Sequence, residues 1–230
     1  MRLCRLCESK TSVVFKNTRH FFACTNCGLI FSDCPLPEQE KQAHYTGQYD
    51  NGFNWENEAR YFTKFLPAEK ISYKILDYGS GGGHLANELR KTGYDIDCYE
   101  PMFHGEFDML QHYGAYDFII LNEVIEHVEH LKNILENINY SLKPGGQVLI
   151  KTMVTDGLIS DPYNFEYNFK EWWYKDDLTH ISFFSSITFE YICANMFSAF
   201  KIIRQDVLSI LLQKRIIKDV SAKPPFAQET

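Results

Sequence analysis

The sequence has no uninterrupted apolar run of about 18 residues, the length a helix needs to cross a bilayer. No membrane-spanning helix is therefore expected among its 230 residues. Its start, Met1-Arg2-Leu3-Cys4-Arg5, carries none of the apolar stretch of a secretory signal, so a cytoplasmic location is expected. Positive charge is scarce: 23 Lys and Arg stand against 30 Asp and Glu, a formal net charge of -7. Binding to nucleic-acid backbone needs clustered cations, so a nucleic-acid partner is disfavoured and a small-molecule substrate preferred. Seven cysteines, an odd number in a chain with no export signal, make a poor disulfide framework. Nor is the chain poor in apolar residues: 45% hydrophobic and 23% charged is the composition of a folded protein. The length suits one α/β domain plus a small accessory module, and nothing in it indicates an oligomeric state.

What is present is concentrated. Cys4-Arg5-Leu6-Cys7 and Cys24-Thr25-Asn26-Cys27-Gly28 are two C-x-x-C pairs at the spacing of structural zinc sites. Each pair can wrap one turn around a metal, and four thiolates give the tetrahedral set that zinc prefers. Between them, Ser12 to Phe22 reads as a β-hairpin around Asn17-Thr18-Arg19. A ribbon this small needs its metal to fold. The competing reading is a redox pair or a set of free thiols. Cys34 reads as a bystander, Cys98 and Cys193 as core residues. Residues 1–36 are thus expected to form a zinc ribbon. Pro35-Leu36-Pro37-Glu38 marks a linker, and 37–70 reads as linker plus a covering helix over Asn57 to Phe65. The aromatics Tyr45, Tyr49, Phe53, Trp55, Tyr61, Phe62 and Phe65 there either dock that segment or form a lid.

From Ile71 an apolar strand runs into Asp77-Tyr78-Gly79-Ser80-Gly81-Gly82-Gly83, and a helix follows with Leu85, Ala86 and Leu89 on one face. Strand, glycine loop and helix form the opening unit of a nucleotide-binding α/β fold. Gly79 and Gly81 admit a ligand close to the backbone, and Gly83 allows tight helix packing. The next strand, Tyr94 to Tyr99, ends in Glu100-Pro101, placing a carboxylate where ribose hydroxyls are held in such folds. Residues 71–217 are expected to form this domain: an open, mostly parallel twisted sheet with an antiparallel closing strand supplied by Phe200 to Arg204 and Val207 to Gln213. Residues 218–230 read as a loose tail.

The D-x-G-x-G-x-G loop resembles the first motif of the class I S-adenosylmethionine-dependent methyltransferases. Tyr116 to Val128, with its E-V-x-E-H-V ending, resembles that family's fourth strand, and Leu142-Lys143-Pro144-Gly145-Gly146 the turn before its fifth. Trp173-Tyr174 and Asp177-Leu178-Thr179-His180-Ile181-Ser182-Phe183-Phe184-Ser185 resemble a run found in the branch that carries an N-terminal C-x-x-C ribbon, akin to ubiquinone-pathway methylases. The resemblance implies S-adenosylmethionine as cofactor. It would be held by Asp77, Tyr78, Gly79, Ser80, Gly81 and Gly83 on the methionine side and by Glu100 at the ribose. Pro101 and Met102 would lie toward adenine, with Asn122 and Glu123 near the sulfonium. The chain departs from the family between Glu100 and Asp117, where a helix and the third strand must be shortened or absent. Glu106 and Asp108 are the only acids left near the adenine side.

Methyl transfer needs alignment above all, and a general base when the acceptor carries a proton. His127 and His180 are the candidates. Glu123, Glu126 and His127 follow the fourth strand at the end of the sheet where ligands bind. Three readings stay open for them: a base, a structural anchor, or a site for a second divalent cation in which His180 joins them, as the E-x-x-E-H of the resembled enzymes implies. Trp173 and Tyr174, with Trp172 and Tyr163, are candidates for an aromatic acceptor wall. The expected activity is O- or C-methylation of a small molecule. The rivals are a metal-assisted O-methyltransferase acting on RNA ends or catechols, and a non-enzymatic binding protein on a degenerate scaffold.

Overall fold

Period-two alternation in the central strands sets the layering. Ile75, Phe118, Ile120, Leu149 and Leu211 face one core, and their neighbours Leu76, Ile119, Leu121, Val148, Ile150, Ile210 and Leu212 face another. A strand that is apolar on both faces must be covered on both, and here it is. The computed structural model describes residues 2–33, 35–37, 40, 52–70, 72–196 and 200–216. Its strands are β1 Thr11–Lys16, β2 His20–Cys24, β3 Ile30–Ser32, β4 Lys74–Tyr78, β5 Asp95–Tyr99, β6 Tyr116–Asn122, β7 Leu142–Lys151, β8 Ser182–Phe183, β9 Phe200–Gln205 and β10 Ser209–Lys214.

The main sheet has the order β5-β4-β6-β7-β10-β9. Strands β5, β4, β6 and β7 pair in parallel, and β10 runs antiparallel to both β7 and β9. This is the open sheet with an antiparallel closing strand that the sequence led us to expect. The helices Trp55–Thr63 and His84–Lys91 pack on one face, and Leu131–Ser141 and Ser186–Tyr191 on the other. Among the described residues no strand lies outside β5. The segment after it holds only two four-residue helices, Pro101–His104 and Met109–His112, so the shortened segment is seen directly.

Several boundaries differ from the sequence reading. The covering helix starts at Trp55 rather than Asn57, because the Asn54 side chain caps it, accepting from Asn57 N at 2.9 Å. Strand β4 starts at Lys74 rather than Ile71, since Ser72 has φ +64°, which breaks an extended backbone. The Leu142–Gly146 segment is not a free turn. It belongs to β7, with Leu142 opposite Tyr116 and Gln147 opposite Phe118 across a register shift. Cys34, Tyr45, Tyr49 and the tail 218–230 lie outside the described residues.

The hairpin β1–β2 forms where expected, with Thr11 opposite Cys24 and Lys16 opposite His20. It does not stand alone. Strand β3 pairs with β8, so the small sheet runs β1-β2-β3-β8 and takes its last strand from the far end of the chain. Cys4, Leu6, Cys24, Cys27, Leu29 and Phe31 share one apolar cluster with the main sheet. Phe21 and Ile30 pack with Phe169, Tyr174 and Phe183 in a second.

Candidate functional site

The glycine loop folds back over the end of β5. Gly79 N and Ser80 N both donate to Tyr99 O, at 2.7 and 3.0 Å, and Gly81 N donates to Glu100 Oε2 at 2.9 Å. Gly79 has φ +79°, and a Cβ there would sit 2.6 Å from Val124 Cγ2, so a side chain is excluded on both counts. Glu100 is buried, and its Oε1 also caps the helix that follows, accepting from Met102 N at 3.3 Å. Pro101 is exposed and Met102 half-buried beside it.

Three buried polar atoms at the carboxyl ends of β4 and β6 have no hydrogen-bond partner: Asp77 Oδ2, Ser80 Oγ and Asn122 Oδ1. Buried polar groups left unpaired cost free energy and ask for an explanation. A polar ligand seated on the loop would supply one. Burial pushes the Asp77 carboxyl up to about 7, with Glu100 adding to the rise and Arg90 opposing it. The Tyr78 side chain turns into the protein. It is buried against Tyr99 and Phe107, and its hydroxyl accepts from Asn137 Nδ2 at 3.0 Å. Trp55 stacks on His84 at 5.4 Å, bringing the start of the covering helix to the loop. Tyr61 and Phe62 dock that helix instead, Tyr61 through a 2.8 Å bond to Ser209 Oγ.

The second half of the site follows β6. Glu123 has φ +53°, a strained value for this residue type that turns the chain sharply into the short helix Ile125–His127. The Tyr174 hydroxyl lies 2.7 Å from both Glu123 Oε2 and Glu126 Oε1 and 3.1 Å from Thr152 Oγ1. Burial and the neighbouring Glu126 raise the Glu123 carboxyl to about 7, and burial raises Glu126 as well. The His127 and His180 rings meet at 4.6 Å. Burial lowers both, His127 to about 4, while Asp177 partly opposes the fall at His180. His180 Nδ1 donates to Tyr174 O at 2.7 Å, which fixes the tautomer and leaves the Nε2 lone pair free to accept. Glu126, His127 and His180 each present a ligating atom within 4.8 Å of the others.

The two candidate histidines, far apart in sequence, are thus neighbours. The two aromatic candidates separate: Trp173 is 65% exposed, whereas Tyr174 is 3% exposed and committed to the glutamates. Tyr163 is 97% exposed, and Trp172 packs inward against Phe169 and Phe183. His130, on the next turn, is exposed. In the ribbon, the Sγ atoms of Cys4, Cys7, Cys24 and Cys27 all lie within 4.8 Å of one another, with Cys4–Cys27 at 3.5 Å and Cys7–Cys24 at 3.4 Å. A tetrahedron of thiolates around zinc at about 2.3 Å has edges of roughly 3.8 Å, so the set fits that ion.

A family model for a methyltransferase domain matches residues 53–196. The chain belongs to this family, and its fold is that of the class I S-adenosylmethionine-dependent methyltransferases. It is 28% identical over 100 residues to a ubiquinone biosynthesis O-methyltransferase of Rickettsia felis, covering 35% of this chain and 41% of that one. It is 29% identical over 113 residues to the mitochondrial ubiquinone biosynthesis O-methyltransferase of Mus musculus, covering 38% and 30%. The matches span about two-fifths or less of these relatives' length. Among solved structures, the 1,6-didemethyltoxoflavin-N1-methyltransferase of Burkholderia thailandensis superposes with a TM-score of 0.52 at 14% identity, over 90% of this chain and 100% of that one. The plantazolicin methyltransferase BpumL, in complex with S-adenosylhomocysteine, gives 0.52 at 17%, over 77% and 91%. At these identities the likeness is one of fold.

Proposed function

We propose that the protein transfers the methyl group of S-adenosylmethionine to an oxygen or carbon of a small-molecule acceptor. The observation that supports this most is the juxtaposition, at one end of the sheet, of a glycine loop with three partnerless buried polar atoms and a pair of imidazoles in ring contact. The residues Asp77 to Gly83 would hold the methionine part of the cofactor, Glu100 the ribose, and Asn122 and Glu123 the floor. Met102 would lie toward adenine. The cofactor supplies a methyl group already activated on sulfur, so the protein's task is alignment. His180 Nε2 takes the proton released by the acceptor hydroxyl or acidic C–H as the methyl arrives. His127 keeps a second neutral ring beside it, and Trp173 offers the exposed aromatic wall.

The same proposal includes structural zinc on Cys4, Cys7, Cys24 and Cys27. Four thiols select a soft ion over magnesium or calcium, and a thiol site suits a reducing compartment, in keeping with a cytoplasmic location. No helix among the described residues is long and apolar enough to cross a membrane. A second reading has one observation in its favour. Glu126, His127 and His180 converge within 4.8 Å, and Glu126 Oε2 is buried without a partner. A divalent cation there would orient acceptor oxygens, with His180 joining Glu126 and His127, while Glu123 lies outside that three-residue group.

Calorimetry with S-adenosylhomocysteine tests the main reading. Binding is expected for zinc-loaded protein, and Glu100→Ala should weaken it at least about tenfold, or 1.4 kcal/mol. No binding by folded protein overturns it. Turnover that is lost on chelation, with the ribbon's metal retained, would select the cation reading.

A further inference from the structure

Arg19 lies at the end of the ribbon hairpin's turn, yet it is only 6% exposed. Its guanidinium collects four backbone carbonyls from one short segment. Nη1 donates to His180 O at 3.0 Å and Leu178 O at 3.4 Å; Nη2 donates to Asp177 O at 3.3 Å and to Lys175 O. The ring of Phe21 lies 5.0 Å beneath it. The segment it gathers, Lys175 to His180, is the loop that must close for Tyr174 O to face His180 Nδ1. Within the loop, His180 N also donates to Asp177 O at 3.2 Å, and Thr179 N and Oγ1 donate to Asp177 Oδ1.

The ribbon reaches this segment in other places as well. Arg5, inside the first C-x-x-C, donates to Ile181 O and Glu129 O, each at 3.2 Å. Ser32 N donates to the same Ile181 O at 3.0 Å, and Ile181 N donates to Glu126 O at 2.9 Å. The His180 loop is therefore held between the ribbon on one side and the Glu126–His127 turn on the other.

We propose that Arg19 is a positioning residue for His180, and that the cysteine ribbon serves the methyl-transfer site as a clamp on the loop that carries the base. The planar fork of the guanidinium suits this task, since it spans several carbonyls from a fixed position, which an ammonium does not. The inference rests on the reading of His180 as the base, but its test stands apart from that reading.

The test uses the full-length, metal-loaded chain saturated with S-adenosylhomocysteine at neutral pH. Long-range nitrogen–proton correlation spectra of the histidine rings report which nitrogen carries the proton. In the parent protein His180 should show a single Nδ1–H tautomer. In Arg19→Met that signature should give way to an averaged one, while the dissociation constant for S-adenosylhomocysteine stays within about threefold, because Arg19 touches neither the glycine loop nor Glu100. Arg19→Lys, which keeps the charge and part of the donor set, should fall between and serves if Arg19→Met does not fold. An unchanged His180 tautomer in either folded variant overturns the inference. Failure of the parent protein to bind S-adenosylhomocysteine would instead overturn the methyltransferase reading, leaving the His180 spectrum to judge the clamp alone.

Discussion

His180 and His127 bring their rings to 4.6 Å, centroid to centroid, at 66°. Two cationic rings at that separation would repel, and burial already disfavours charge on either. Burial favours the neutral form of both, but they are not equivalent. His180 has its Nδ1 proton anchored on Tyr174 O and the Asp177 carboxylate 3.9 Å from Nε2, so a proton gained there is partly compensated. His127 is pushed down to about 4 by burial, with the neighbouring His180 adding to the fall.

His180→Gln should therefore lower kcat by about 10²–10⁴-fold, the usual contribution of a positioned base, with affinity for S-adenosylhomocysteine retained. His127→Gln should cost less. Single-turnover methyl transfer to any acceptor that supports turnover measures both. Equal and small losses would remove the base assignment.

The phenol of Tyr174 has one proton and two carboxyl oxygens at 2.7 Å, and burial raises the pKa of both carboxyls, which favours a proton shared on this cluster. Tyr174→Phe leaves buried carboxyls short of a donor and should cost about 1–3 kcal/mol of stability. Trp173→Ala should cost less than about 0.5 kcal/mol, since that side chain is largely solvated. It should act on acceptor turnover instead. Urea denaturation of the two variants separates these roles; a larger loss in Trp173→Ala would reverse them.

The parts of this structure that were legible in the sequence are those fixed by local rules. The β4–loop–helix unit is one, since Gly79, Gly81 and Gly83 at positive φ mark the backbone path directly. The thiol cluster is another, because each C-x-x-C turn determines its own geometry. Position along the chain also gave the shortened segment after Glu100. What stayed hidden depends on long-range closure. No local pattern announces that β8 completes the ribbon's sheet, that Arg19 reaches the 175–180 carbonyls, or that the adjacent Trp173 and Tyr174 face solvent and core respectively. The inward packing of the Tyr78 ring was equally hidden, because motif position says where the backbone lies, and only packing says where the ring goes.

Asp77 carries a pH dependence of definite sign. Its folded pKa, about 7, lies above its ordinary value of 3.8. The folded state thus binds more protons than the unfolded one across that interval, and stability from this group falls as pH rises from about 4 to about 7. The slope is at most about 1.4 kcal/mol per pH unit and the total on the order of a few kcal/mol. Asp77→Asn should abolish this component, raising the melting temperature of ligand-free protein more at about pH 8 than at about pH 5, while weakening S-adenosylhomocysteine binding. Glu123 is raised in the same sense, so the difference between parent and variant, not the parent curve alone, isolates Asp77. A variant no more stable than the parent at the higher pH would show that Asp77 is ionised and paired in the folded protein.

The four-thiol set makes the last prediction the most direct. Purified protein should contain one zinc per chain, released when thiol-modifying reagent titrates Cys4, Cys7, Cys24 and Cys27 together. Metal analysis with thiol counting measures this, and Cys27→Ser should lose most of the metal. Cys27 is fully buried in the cluster that joins ribbon and main sheet, so the damage should not stay local. Strand β3, which pairs with β8 next to His180, should loosen with it. Hydrogen exchange at Ile181 N, whose partner is Glu126 O, reports that loosening. Protection there should fall on metal removal while the β4–β6 amides keep theirs. Metal-free protein with full protection at Ile181 would mean that the ribbon's hydrophobic contacts alone hold the acceptor side in place.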